Sequence, residues 1–306
     1  MNDYVTLLLG LACAGIGGEL FVRGAVGLAH WLRISPGIIG ATIAAFATSS
    51  PELSVSISSA MSGVPQIALG DALGSNVVNV ALILAVALTI SGILCPRDSI
   101  RRDFPMALLI PVITGVLILD GTLGRLDGVI FMGMFLAWLV AAIIESRKQR
   151  SATESVLGEF RVGMILLSCL SGLTLLLAAG YLIVVGARGI AMSHGMDEFI
   201  IGATVVAVGT SVPELATAVI AKLRGHDEVG LGTLLGSNVF NGAFIISVAA
   251  VIHPITVDWQ EVVIALVFGF VALILAYPTG KGFIERKRGF FLLALYAVYL
   301  TAILQQ

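Results

Sequence analysis

GATIAAFATSSPEL, residues 40 to 53, returns as GATVVAVGTSVPEL at residues 202 to 215. Each copy places a glutamate, Glu52 or Glu214, in an apolar run long enough to cross a bilayer, with a proline directly before it. An acid at the centre of a membrane helix costs roughly 2.5 to 3.5 kcal/mol on insertion scales, so its retention marks a functional position. Downstream, GSNVVN (Gly74 to Asn79) and GSNVFN (Gly236 to Asn241) also match. One offset of 162 residues relates both blocks (52 to 214, 79 to 241), so nothing was inserted or lost between acid and asparagine. The chain carries one site twice.

Composition sets the class around these blocks. With 58% hydrophobic residues, 12% charged residues and a mean hydropathy of +1.04, the chain reads as an integral membrane protein. Apolar segments of about 20 residues with short polar breaks predict an all-α protein rather than the alternating strands of a barrel. The three cysteines, Cys13, Cys95 and Cys169, are scattered singly and read as small core residues. Apolar segments are expected near residues 4–30, 35–61, 67–92, 104–119 and 126–144, and again near 162–193, 198–222, 229–252, 258–277 and 289–304. The amino terminus, MNDY, lacks the basic stretch of a cleaved signal, so the first segment is expected to be retained. The expected organisation is a first five-helix repeat at 1–144, a polar linker at 145–161 on the cytoplasmic side, and a second five-helix repeat at 162–306.

Basic residues orient these ten helices, because cytoplasmic loops are enriched in Lys and Arg. With the amino terminus outside, the inward breaks hold 14 of the 17 basic residues, among them Arg97, Arg101 and Arg102, Arg147 to Arg150, and Arg286 to Arg288. The outward breaks hold only Arg125, and Arg23 and Arg188 fall within helices. Five helices per half is an odd number, so the second repeat enters the membrane inverted. Binding is then expected near the midplane, where the two repeats meet.

Proline has no amide hydrogen and clashes with the carbonyl four residues back. Pro51 should therefore free the carbonyl of Ala47, and Pro213 that of Gly209. Each repeat offers these carbonyls, the hydroxyls of Thr48 and Ser49 or Thr210 and Ser211, and a carboxylate. Asn79 and Asn241 add amide oxygens, and Ser75 and Ser237 further hydroxyls. Every candidate ligand is an oxygen, which suits hard cations and not zinc or copper. Two glutamates facing each other in a low-dielectric site cannot both stay ionised unless cations intervene. One divalent ion or two monovalent ions would neutralise them, with protons as a third competitor. Such a site suits cation antiport without choosing the ions.

At these residues the chain resembles a known family. TSSPE with GSNVVN, and TSVPE with GSNVFN, are similar to the two alpha repeats (here 40–85 and 202–247) of the cation/calcium exchanger superfamily, in particular its prokaryotic-type sodium/calcium exchanger branch. The resemblance implies a multi-pass protein of the cell membrane that exchanges sodium for calcium by alternating access, with no enzymatic activity and no cofactor. It implies a calcium site at Glu52 and Glu214 with carbonyls near Thr48 and Thr210. Flanking sodium sites would use Ala45, Ser49 and Ser75, and Ala207, Ser211 and Ser237. Some relatives carry an aspartate where this chain has Asn241, a pattern resembling the potassium-dependent branch, so Asn241 argues against potassium co-transport. It also leaves the charge of the site on Glu52 and Glu214 alone. Proton/calcium exchange is the competing reading, although the GNxxE motif usual in those relatives is absent. A channel or an uncoupled cation-binding protein ranks below both, since a pore needs no inverted duplication. The implied partners are the transported ions and the bilayer, with no nucleic acid and no obligate protein partner.

Plainer roles compete at individual residues. Asn79 and Asn241 would also serve as interhelical hydrogen-bond glue, and Gly74 and Gly236 suit close helix packing. Glu19 and Arg23, four apart, are expected to pair on one helix face. Asp71 reads as a first-turn aspartate, and its repeat counterpart is Thr233. The four histidines fall in predicted loops or helix ends without ligand spacing.

Overall fold

A computed structural model describes residues 3–63, 65–152, 162–193, 207–257, 259–303 and 305. The described residues are predominantly helical. Helix α1 spans Asp3–Leu32, and then Pro36–Thr48 (α2) and Ser50–Met61 (α3) meet at a 46° bend. Helices α4 (Gln66–Ile90), α5 (Ser99–Asp120) and α6 (Arg125–Ala152) complete the first half. The second half comprises α7 (Val162–Ser193), α8 (Ala207–Thr210), α9 (Val212–Leu223), α10 (Asp227–Ile252), α11 (Trp259–Ala276) and α12 (Arg286–Ile303). Among the described residues six helices, or seven with α2 and α3 as one bent span, are long and apolar enough to cross a bilayer. The start of the segment expected at 198–222, most of the linker and His194 lie outside the described residues.

The bend falls where the prolines predict it. Ser49 closes α2 at φ −85°, ψ 12°, and Ser211 precedes α9 at φ −85°, ψ 9°. The two repeats are therefore broken at the same residue with the same geometry. Three wide π-helical turns accompany the breaks, at Gly40–Ala44, Val78–Leu84 and Phe240–Ile245. The last two hold Asn79 and Asn241. Such turns inside α-helices are frequent at functional sites.

Four two-residue strands were not legible in the sequence: β1 (Ile93–Leu94), β2 (Thr122–Leu123), β3 (Ile255–Thr256) and β4 (Phe283–Ile284). β1 pairs antiparallel with β4, and β2 with β3. By the 162-residue offset β3 is the counterpart of β1, and β4 of β2 to within one residue. Within the first repeat β1 and β2 lie at opposite ends of α5. Because β4 pairs at β1's end, the second repeat runs inverted relative to the first.

Glycines set the close approaches between halves. A Cβ on Gly40 would lie 2.6 Å from the Val229 carbonyl, and one on Gly232 would lie 2.5 Å from the Gly37 carbonyl. Gly236 likewise faces the Ala41 backbone, its Cα 2.6 Å from where a Cβ would stand. Gly232 and Gly236 form a GxxxG face on α10, which lets α2 pack backbone to backbone. Helices α1 and α7 pack together in the same way, with Gly24 against Cys169 and Gly172 against Phe21. Gly10, Gly18, Gly24 and Gly27 recur at the repeat offset as Gly172, Gly180, Gly186 and Gly189.

At one end of the molecule, polar side chains lock the helices. Buried Asp103 accepts from Arg102 Nε at 2.8 Å and from Trp138 Nε1 at 3.0 Å, and Arg102 Nη1 donates to Glu145 at 2.8 Å. Lys222, also buried, donates to the Gly92 carbonyl at 2.7 Å and to Asp227 at 2.9 Å. Glu19 bonds Arg23, as its spacing predicts, and also Arg224 at 2.8 Å, which ties α1 to the end of α9. The cysteines are free: Cys95 is buried, while Cys13 and Cys169 are half-buried between helices.

Candidate functional site

The two breaks bring the duplicated acids together. Glu52 stands in the first turn of α3 and Glu214 in the first turn of α9, each at the positive end of a helix and each 1% exposed. They lie close enough to interact electrostatically. Thr48, Ser49, Ser75, Asn79, Ser211, Ser237 and Asn241 are all buried, and so is Ala45. Thr210 is half-buried, and Ala207 opens α8 with its side chain outside the description.

Hydrogen bonds join the halves. Ser49 Oγ donates to Glu214 Oε1 at 3.1 Å across the repeat boundary, and Ser237 Oγ donates to the same oxygen at 3.3 Å. Thr48 Oγ1 turns back to the Ala44 carbonyl at 3.1 Å. Many polar atoms nevertheless have no partner. Glu52 Oε2, Glu214 Oε2, Asn79 Oδ1, Asn241 Oδ1, Ser75 Oγ and Ser211 Oγ are buried and unbonded. Leaving one buried polar group unpaired costs about 1–3 kcal/mol, more when it is charged. A cluster of six, all oxygens and all from the duplicated blocks, has the donor chemistry of a hard-cation site.

The structure corrects the sequence reading at three places. Pro51 does free the Ala47 carbonyl, but Ser50 Oγ recaptures it at 2.8 Å. The counterpart of Ser50 is Val212, which has no hydroxyl, so only the Gly209 side keeps a loosened carbonyl, facing Gly180. Pro51, Gly209 and Pro213 with Leu177 and Tyr181 line a cavity of ≈ 240 Å³ beside the site.

Asp71 is the second correction. It stands in the second turn of α4, not the first, and shares a face with Ser75 and Asn79 at four-residue steps. It interacts electrostatically with both Glu52 and Glu214, and its Oδ2 is buried without a partner. The charge of the site therefore does not rest on the glutamates alone. Thr233, its counterpart, bonds the Val229 carbonyl at 2.8 Å and adds no charge. The four-residue spacing of Asp71, Ser75 and Asn79 was the available signal.

The third is a pair the sequence reading passed over. Asn76 Nδ2 donates to the Asn238 carbonyl at 3.2 Å, and Asn238 Nδ2 donates to the Asn76 carbonyl at 3.3 Å. These two stand at the 162-residue offset inside the GSN blocks. Asn79 Nδ2 further donates to Asn238 Oδ1 at 3.0 Å. Asn79 therefore also serves as interhelical glue, with Asn76 and Asn238.

An inverted pair of broken helices enclosing buried acids and unbonded oxygens is the architecture of a membrane ion transporter. Known proteins give the class its family. A sequence model described as "Sodium/calcium exchanger protein" matches residues 3–144 and 164–305. The candidate antiporter CaxA of Alkalimonas amylolytica is 35% identical over 262 residues, covering 83% of this chain and 82% of that one. The sodium/calcium exchanger MaX1 of Methanosarcina acetivorans is 27% identical over 354 residues, covering 98% of each. The solved structure of the sodium-calcium exchanger NCX_Mj, soaked with 2.5 mM Na+ and 0.1 mM Ca2+, superposes with a TM-score of 0.84 at 28% identity over 98% of this chain and 99% of that one. The chain belongs to the sodium/calcium exchanger family, and is a multi-pass membrane exchanger rather than an enzyme.

Proposed function

We propose that this protein is a secondary antiporter that exchanges sodium for calcium across the cell membrane by alternating access, without potassium. The six unbonded buried oxygens carry the reading. In this reading Glu52 and Glu214, with carbonyls near Thr48 and Thr210, hold calcium. Ala45, Ser49 and Ser75 on one side, and Ala207, Ser211 and Ser237 on the other, hold sodium, with Asn79 and Asn241 between them. Calcium and sodium share the acids, so occupancy by one disfavours the other, and that competition is the coupling. The family supports exchange of cations for calcium, and MaX1 and NCX_Mj carry sodium and calcium in their names. Proton/calcium exchange is the second reading. Asp71 favours it, as a third acid beside the pair that a proton would neutralise.

The proposed topology is ten membrane crossings with the amino terminus outside, as repeats at 1–144 and 162–306 joined by the cytoplasmic linker 145–161. Ribbon pairing supports it: the loops bearing β1 and β4, both on the basic side by this count, meet each other, and so do the loops of β2 and β3. The deciding experiment is calcium uptake into proteoliposomes with sodium, proton and potassium gradients imposed separately. Uptake driven by an outward sodium gradient, unchanged by potassium, is expected. Uptake that follows pH and ignores sodium would establish proton coupling instead.

A further inference from the structure

Among the residues identical between the repeats are Ser49 and Ser211, Glu52 and Glu214, Ser75 and Ser237, Asn76 and Asn238, and Asn79 and Asn241. Their bonds are not. Ser49 and Ser237 both donate to Glu214, whereas Ser211 Oγ and Ser75 Oγ, which would make the corresponding bonds to Glu52, have no partner. Asn79 donates to Asn238 Oδ1, whereas Asn76 Oδ1, the counterpart acceptor for Asn241, has none. The two bonds from Asn76 and Asn238 to each other's backbone are, by contrast, symmetric. The residues that make these bonds are of the same types in both halves, so the inequality lies in how each half holds them. It runs in one direction at all three places.

We propose that Asn76 and Asn238 are positioning residues that exchange partners between the two access states: Asn238 holds Asn79 in the state seen here, and Asn76 holds Asn241 in the other. The proposal rests on the alternating-access reading above, in which each inverted half adopts the other's conformation when the site faces the opposite side. The chemistry suits the role. An asparagine amide anchored by its nitrogen has its oxygen held in one orientation; Asn79 is so anchored by Asn238, whereas Asn241, whose Oδ1 is equally buried and unbonded, has no such bond to Asn76. The anchoring bond is made in one state only, so it biases the equilibrium between states by its own free energy. The serine bonds pass from Glu214 to Glu52 in the same step. The backbone bonds between Asn76 and Asn238 remain throughout as the pivot.

Opposite effects of two equivalent substitutions test this. The background replaces Cys13, Cys95 and Cys169, although burial and Asp227 already push the Cys95 thiol up to about 12, away from the reactive thiolate. Reporter cysteines are placed at Leu177, which lines the cavity beside Pro51 and Pro213, and at its counterpart Gly15, where an added Cβ meets nothing within 4 Å. Labelling by an impermeant maleimide is compared at the two reporters in reconstituted vesicles. Asn238→Ala is expected to lower Leu177→Cys labelling relative to Gly15→Cys by about fivefold, the factor that one hydrogen bond contributes. Asn76→Ala is expected to raise it by a similar factor, and the double variant to return to the parental ratio. Serine replaces alanine wherever alanine prevents recovery of monodisperse protein. Single variants that shift the ratio in the same direction, or not at all, overturn the proposal, since a purely structural asparagine has no reason to act with opposite signs. Calcium binding to the same purified proteins, read by titration calorimetry, tests the exchanger reading separately. Its loss in the parent protein would overturn that reading while the labelling ratios still decide the partner exchange.

Discussion

Glu52 and Glu214 are each 1% exposed, and each keeps one carboxylate oxygen unbonded. A buried charge without compensation is strongly destabilising, so a cation that binds between them is held by the same energy. Glu52→Gln or Glu214→Gln is expected to reduce calcium flux at least about 30-fold, since losing one partner of a buried charge contact costs about 2–5 kcal/mol. Folded protein should remain in the membrane, and normal flux in either variant would remove the acid from the site. Asp71 acts at longer range and is only half-buried. Asp71→Asn is expected to keep transport but to raise the calcium concentration for half-maximal flux roughly tenfold, on the order of 1–2 kcal/mol for partly solvated charges. The same measurement on Thr233→Asp, which would give the second repeat the acid it lacks, should move in the opposite direction.

At the scale of elements, the site depends on how closely α10 approaches α2. A methyl group at Gly236 would stand against the Ala41 backbone, which cannot yield as a flexible side chain can. Gly236→Ala is therefore expected to destabilise the protein by about 1–3 kcal/mol through overpacking. Its counterpart Gly74 has only the Tyr299 hydroxyl, at 3.8 Å, near the same position. Gly74→Ala should be close to neutral, and thermal unfolding in detergent of the two variants side by side checks the contrast. The glycines at equivalent positions thus differ in role although the blocks around them match. Serine 50 shows the same principle at the break: its hydroxyl recaptures the Ala47 carbonyl, and Val212 leaves Gly209 open toward the cavity. Proline chemistry predicted both breaks, but which carbonyl stays available was decided one residue away.

Over the whole molecule, the two ribbons and the basic loops give one account of orientation. In the proposed topology Ser62 lies outside and Lys281 inside, and both are exposed. Single cysteines placed there should label with an impermeant reagent in intact cells at residue 62 alone, with residue 281 reacting only after permeabilisation. Labelling of both from outside would end the ten-crossing count. The ion pairs of Arg102 with Asp103 and Glu145, and of Lys222 with Asp227, gather on the basic side by the same count. The sequence read Arg102 and Lys222 only as charges that set orientation. Their buried partners show that they also join helices, a role invisible to a rule that counts charges by loop.

The sequence by itself determined the duplication, the position of each acid and each break, and the all-oxygen donor set. These follow from local chemistry: what proline forbids, what a bilayer penalises, and a fixed offset of 162 residues. Only the tertiary structure decided that Asp71 interacts electrostatically with the glutamates and that Asn76 and Asn238 bind each other. It alone showed that equivalent bonds are made on one side and left open on the other. Helical periodicity places a residue on a face, but which faces meet depends on inter-repeat packing through Gly40, Gly232 and Gly236. In the proposed partner exchange, identical residues in two inverted halves hold unequal partners because one chain occupies one of two conformations at a time.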